Sequence, residues 1–277
     1  MRTGFLRGRE HTRYGAVSTI AEGRCAIALS IGGAPKIYEH RDPNEDAVGF
    51  AEGPGGIVAA LADGHGGFQA AELAVQRLLE DGATRWTGPG PVNLGDRWPE
   101  EASEILFELN AAILDAAGRS ASASARTTLA WVVVRPEQNL VAFASLGDSH
   151  IFHIGPKEVV DLAYHGSRRS FFLGFPSETP WSLRDRIVAS CEALDGTRAL
   201  VLASDGLSER GIGVDHPEAC VGECAARAVG AEPGLRALAT ARGVCEQALD
   251  SQRRQKSGDN VASAVVWLQK DSPNSRS

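Results

Sequence analysis

Five times in this chain a carboxylate stands beside Gly, His, Ser or Asn at the end of an apolar run. The five are Asn44-Glu45-Asp46, Asp63-Gly64-His65-Gly66-Gly67, Gly147-Asp148-Ser149, Ser204-Asp205-Gly206 and Gly258-Asp259-Asn260. A single Asp-Gly step is an ordinary solvated turn that closes a strand. Five of them at strand ends ask for more. They call for a fold in which strand ends converge, and two packed sheets sharing one rim provide it.

The runs between these turns read as strands, being β-branched or alternating and bounded by Gly, Asp, Asn or Pro. They cover Cys25 to Ile31, Ala47 to Ala51, Ile57 to Ala62, Thr127 to Val134, Leu140 to Leu146, Ile151 to Ile154 and Glu158 to Leu162. Leu183 to Ala189, Ala199 to Ala203 and Val261 to Leu268 complete the set. Apolar residues at helical spacing predict helices over Phe68 to Glu80 and Glu100 to Ala117, with Pro99 at the start of the second. The Pro/Gly-rich stretch Gly82 to Trp98 between them makes an antiparallel pair. Two more helices fit Pro217 to Val229 and Leu235 to Ser251. Strands in blocks and helices in pairs indicate an α+β layered domain rather than alternating βα units.

With 277 residues, the chain is long enough for a core without staples. One domain over residues 21–269 is expected, because no linker interrupts it, with flexible segments at 1–20 and 270–277. The formal net charge of −7 argues against a dominant nucleic-acid-binding role. No apolar run has the length of a membrane span, and Met1 to Arg9 lacks the apolar stretch of a secretory signal. The five cysteines include no C-x-x-C pair, a usage that fits a reducing cytoplasm. Cys220 and Cys224, at helical spacing, read as small buried hydrophobes.

Converging carboxylates repel one another unless cations neutralise them. Hard divalent ions with oxygen ligands, Mg²⁺ or Mn²⁺, suit an all-carboxylate site. Two such ions can share a water, lower its pKa and present hydroxide for in-line attack on phosphorus. The chemistry implied is hydrolysis of a phosphate ester.

Taken in order from Arg41 to Asn260, these motifs resemble the metal-dependent serine/threonine protein phosphatases, the protein phosphatase 2C family. Asp63-Gly64-His65-Gly66-Gly67, between an apolar strand and the first long helix, is the most distinctive block. The resemblance implies a four-layer αββα sandwich, two antiparallel sheets flanked by helix pairs. It also implies roles. Asp63 would bridge two ions, the Gly64 carbonyl would join the first, and Asp205 and Asp259 would complete the second. Asp46 and Glu45 match an acidic pair that holds metal-bound waters, while Asp148 and Glu209 match positions of a third metal site. Arg41 stands where the family has an arginine that clamps the substrate phosphate, a role its bidentate guanidinium suits. His65 matches the general acid for the leaving group, and Asn260 orients the Asp259 loop.

Phosphorylated proteins, targets of a serine/threonine kinase, are the implied partners of a cytoplasmic monomer that engages neither membrane nor nucleic acid. Two other readings are a hydrolase of small phosphate monoesters and a catalytically silent phosphatase-like binding module. The tryptophans read as packing residues. The chain departs from the family at His150, where arginine is common, and at Arg126, where glycine is usual. It departs again along 163–181, a flap region that contains Arg168-Arg169.

Overall fold

The computed structural model describes residues 1–36, 40–118, 125–163, 171–176 and 178–269. The first half contains β1 (Arg2–Arg7), β2 (Ser18–Glu22), β3 (Cys25–Ser30), β4 (Ala47–Glu52), β5 (Ile57–Ala62), β6 (Gly64–His65), α1 (Gln69–Arg85) and α2 (Trp98–Gly118). After it come β7 (Arg126–Thr127), β8 (Leu129–Arg135), β9 (Leu140–Leu146), β10 (His150–Ile154), β11 (Val159–Asp161), α3 (Pro180–Arg184) and β12 (Val188–Ala193). The chain closes with β13 (Ala199–Ala203), α4 (Pro217–Ala228), α5 (Arg236–Gln255) and β14 (Val261–Trp267). The expected tail at 270–277 and the Arg168-Arg169 pair lie outside the described residues.

Alternation decides the layers. In β5, Val58, Ala60 and Ala62 face a core shared with α1 and α2, while Ile57, Ala59 and Leu61 face the other sheet. The same period of two sends Val201 and Ala203 of β13 toward α4 and α5, and Leu200 and Leu202 inward. One antiparallel sheet has the order β1-β4-β5-β8-β9-β12, the other β11-β10-β13-β14-β3-β2. With a helix pair outside each sheet, the fold is the four-layer αββα sandwich. Among the described residues, no helix is long and apolar enough to cross a membrane.

Register brings the acidic turns together. Ala47 pairs with Ala62, so Asp46 before β4 and Asp63 after β5 lie at one end of the first sheet. In the second sheet Ala203 pairs with Ser263 and with His150, which puts Asp205, Asp259 and Asp148 at one end as well. Gly147 to Ser149 crosses from β9 in one sheet to β10 in the other, so both ends form a single rim.

Three expectations need correction. Residues 1–20 were expected to be flexible, yet β1 pairs along the whole of β4 and β2 along β3. Leu6 is buried between the sheets, and the Gly8 N–H donates to the Asp46 carbonyl at 2.8 Å, so this segment buttresses the acidic rim. Leu183 to Ala189 was expected to be one strand. Instead Pro180–Arg184 is helical, and β12 starts only at Val188. The reason is a capping box: Thr179 Oγ1 accepts from Ser182 N, Ser182 Oγ accepts from Thr179 N, and Pro180 begins the turn. Thr127 to Val134 is also broken, at Thr128. Among the tryptophans, Trp86, Trp98, Trp131 and Trp267 are buried, but Trp181 is 73% exposed.

Candidate metal centre

Each acidic side chain at the rim is aimed by its own local structure. At Asp63 the break in the β7–β8 strand does the work. Thr128 N–H donates to the Asp63 carbonyl at 3.0 Å, and Thr127 Oγ1 donates to the same oxygen at 2.9 Å. The Thr128 hydroxyl accepts from Asp63 N–H at 3.1 Å. With its backbone fixed on both sides, the carboxylate points into a cavity of about 420 Å³. Gly64 follows because a Cβ there would lie 2.3 Å from the Glu45 carbonyl oxygen.

Asp205 opens a tight helical turn after β13, and Asp259 precedes β14. Their turns are joined by Gln252 of α5, which is wholly buried. Its amide NH₂ donates to the carbonyls of Gly206 (3.2 Å) and Asp259 (3.1 Å), and its oxygen accepts from Gly33 N–H at 2.8 Å. Asn260 ties in the Glu45-Asp46 loop: its side-chain oxygen accepts from Glu45 N–H at 2.9 Å, and its NH₂ donates to the carbonyls of Ile31 and Pro43. Glu45 in turn accepts from the N–H groups of Arg41 and Asp42, while its carboxylate borders the cavity.

The result is a dense cluster of negative charge. Carboxylate oxygens of Asp63, Asp148 and Asp205 lie within 4.8 Å of one another, as do those of Asp205, Glu209 and Asp259. Asp205 therefore belongs to both groups, whereas the resemblance assigned the shared role to Asp63. Asp46 lies beneath them with no exposed surface, accepting from Ser204 Oγ at 3.0 Å. Burial, then the Asp259 charge, pushes its carboxyl up to about 8. Burial and the neighbouring Asp46 and Asp259 raise Asp63, and burial with Asp63 and Asp259 raises Asp205. Glu209 is pushed up to about 7 by burial and by Asp259.

The donor set fits hard divalent cations. Every side chain in the two groups offers a carboxylate oxygen, and among the described residues buried Asp46 Oδ1, Asp205 Oδ1 and Glu209 Oε2 meet no hydrogen-bond partner. Such oxygens are costly unless a cation meets them.

Two residues sit differently from what the sequence suggests. Arg41 is exposed and is not among the residues that line the cavity; its backbone N–H donates to the Glu45 carboxylate. Lys36, which carries no motif in the sequence, does line it, with Nζ 3.0 Å from Asp259 Oδ1. His65 is exposed at the mouth, its ring 5.0 Å from that of Phe172.

The residue pattern that produces this rim has known relatives. A protein-family profile described as protein phosphatase 2C matches residues 35–236. The chain belongs to the protein phosphatase 2C family. Family membership makes it a serine/threonine phosphatase, and the acidic cluster is compatible with the metal dependence of protein phosphatase 2C enzymes. No curated protein sequence matches it. Solved structures do: serine/threonine phosphatase Stp1 from Staphylococcus aureus shares 17% identity, with a TM-score of 0.61 over 93% of this chain and 99% of that one. The Mycobacterium tuberculosis serine/threonine phosphatase PstP/Ppp shares 21%, with a TM-score of 0.61 over 89% and 99%. Serine-threonine phosphatase 2C from Toxoplasma gondii shares 16%, with a TM-score of 0.62 over 97% and 99%. At these identities the likeness is one of fold.

Within this phosphatase 2C fold the unusual His150 has a defined place. It is fully buried, with Nδ1 2.8 Å from Asp161 Oδ2 and Nε2 2.6 Å from Ser208 Oγ. Facing a carboxylate, Nδ1 carries the hydrogen. Asp161 Oδ1 also accepts from the N–H groups of Ile151 and Ala163. A His–Asp pair thus stands at the position where arginine is common, and through Ser208 it reaches the turn that carries Asp205 and Glu209. Arg126 lies over the Phe175 ring at 4.4 Å, on the strand beside His65.

Proposed function

We propose that this phosphatase removes phosphate from phosphoserine and phosphothreonine in proteins, with two Mg²⁺ or Mn²⁺ ions held by Asp46, Asp63, Asp205 and Asp259 and by the Gly64 carbonyl. The observation that carries the reading is the pair of three-carboxylate groups meeting at Asp205, with buried oxygens that meet no hydrogen-bond partner among the described residues. When bound, two such ions would supply neutralising charge and a shared hydroxide that attacks phosphorus.

What the chain's own residues do follows from their positions. Hydrogen bonds to the backbones of Asp63, Asp259 and Gly206, the last next to Asp205, hold the three carboxylates in place. Glu45 and Asp148 border the cavity and orient water around the ions, and Asp148 in one group and Glu209 in the other are the candidates for a third cation. His65, exposed at the mouth, returns a proton to the departing serine or threonine oxygen. Arg41, on the loop pinned by Glu45, meets phosphate oxygens from outside the cavity rather than from within it. The substrates are phosphoproteins made by a serine/threonine kinase, and the enzyme works as a cytoplasmic monomer.

Hydrolysis of p-nitrophenyl phosphate in Mn²⁺, in Mg²⁺ and in EDTA tests the chemistry. Turnover is expected with metal and not in EDTA; absence of turnover from folded protein in either metal would overturn it. Comparing phosphopeptides with small phosphomonoesters tests the substrate class. Higher kcat/KM on phosphopeptides is expected, and the reverse order would assign the enzyme to small esters.

A further inference from the structure

Lys36 is the feature that the proposed chemistry leaves unused. Its side chain is 5% exposed, and its ammonium lies 3.0 Å from Asp259 Oδ1, inside the cavity that Asp63, Asp205 and Glu209 also line. Burying a lysine in this way is costly unless carboxylates surround it. Here they do. Burial disfavours the charged form, but Asp259, Asp46 and Asp63 together outweigh it and hold the ammonium above its ordinary value. Lysine is also a compact point charge on a flexible four-carbon stem, able to leave and re-enter a site without moving the backbone.

One Asp259 oxygen therefore faces an ammonium where the metal reading asks for a divalent ion. We propose that Lys36 is a tethered cation that competes for the Asp259 side of the site, so that an ion binding between Asp205 and Asp259 must drive the ammonium off. The proposal rests on the metal reading given above. The geometry also makes the two ends unequal. Among the described residues the ammonium of Lys36 meets Asp259, which belongs to the Asp205, Glu209 and Asp259 group and not to the Asp63, Asp148 and Asp205 group. Metal loading is then stepwise, with the Asp259 end filling second and more weakly. Lys36 in turn neutralises part of the cluster before metal arrives.

The test is a Mn²⁺ titration of the full chain, following the free-ion EPR signal, together with melting curves in EDTA. Wild type is compared with Lys36→Met and Lys36→Gln. Lys36→Met removes both the charge and the hydrogen bond to Asp259. Lys36→Gln removes the charge and keeps a donor. In both variants the weaker Mn²⁺ site is expected to tighten roughly tenfold or more, about 1.4 kcal/mol per factor of ten. Both are expected to melt lower than wild type in EDTA and to gain more from Mn²⁺. If Lys36→Met does not fold without metal, Lys36→Gln carries the comparison.

Unchanged Mn²⁺ affinity in both variants would overturn the proposal while leaving the metal site intact. The same holds if Lys36→Gln behaves as wild type and only Lys36→Met differs, since the hydrogen bond and not the charge would then matter. Absence of Mn²⁺ binding by wild type and variants alike would remove the metal reading itself, and the proposal with it.

Discussion

At Gly206 a side chain has no space. A Cβ would lie 1.9 Å from the carbonyl oxygen of Asn260, because the turns that carry Asp205 and Asp259 touch backbone to backbone. Gly206→Ala must push those turns apart, and Asp205 and Asp259, on opposite sides of the contact, move with them. The expected outcome is a loss of about 2 kcal/mol or more, in the range of substitutions that strain a tight backbone contact. Mn²⁺ affinity should fall as well. Urea unfolding and Mn²⁺ titration check both, and a variant with wild-type metal affinity would mean that the turns are not coupled. Catalytic substitutions should separate cleanly. Asp63→Asn is expected to abolish turnover, since it removes a carboxylate from the cluster proposed to hold the ions, while Arg41→Ala is expected to raise KM with little change in kcat, in keeping with its exposed position outside the cavity. Steady-state kinetics on one phosphopeptide distinguishes the two; a kcat collapse in Arg41→Ala would place the guanidinium at the reacting atoms. The carboxylates were legible in the sequence because Asp beside Gly at a strand end is a local pattern. Lys36 was not, because Ala34-Pro35-Lys36 reads like any loop until the chain near Asp259 returns to meet it.

Helix α5 shows what an element contributes beyond packing. Its apolar face, with Ala241, Val244, Ala248 and Leu249, fills the core under the second sheet, and Gln252 continues that same face into the rim. There one amide holds the Asp205 and Asp259 turns and the Gly33 N–H. Gln252→Leu keeps similar volume but leaves two buried carbonyls and an N–H unpaired, at about 1–3 kcal/mol for each group. A lower urea midpoint and weaker Mn²⁺ binding are expected, with the helix content unchanged by circular dichroism. Stability equal to wild type would show that water replaces the amide. The helical period made the α5 face readable, yet a glutamine on it looks like a position at the surface boundary, and only the tertiary contact gives it a role. The same limit explains the edge strands. Arg2–Arg7 carries too little alternation to be called a strand alone, and it becomes one because β4 offers an open edge. At Leu183 to Ala189 the opposite holds: a strand is expected there, but the Thr179–Ser182 capping box just before it starts a helix that runs to Arg184.

Over the whole molecule, the rim links stability to proton and metal concentration. Asp46 and Glu209 have ordinary values of 3.8 and 4.5, and in the folded chain they stand near 8 and near 7. Asp63 and Asp205 are shifted in the same direction, upward, by burial first and then by neighbouring carboxylates, Asp46 and Asp259 for Asp63 and Asp63 and Asp259 for Asp205. Between the unfolded and folded values the native state binds more protons than the unfolded chain, so stability falls as pH rises through that window. In EDTA the melting temperature should therefore drop from about pH 5 to about pH 8 by several degrees, at roughly 2–4 °C per kcal/mol for a domain of this size. Divalent metal reverses the logic. It binds the deprotonated carboxylates, so its affinity grows over the same interval and its contribution offsets the loss. Melting curves at stepped pH, in EDTA and in saturating Mn²⁺, should diverge as pH rises, with the Mn²⁺ series flat or rising. An EDTA series that is flat or rises from pH 5 to 8 would mean that the carboxylates are already ionised without metal, and the rim would then have to be more solvated than its buried, partnerless oxygens indicate.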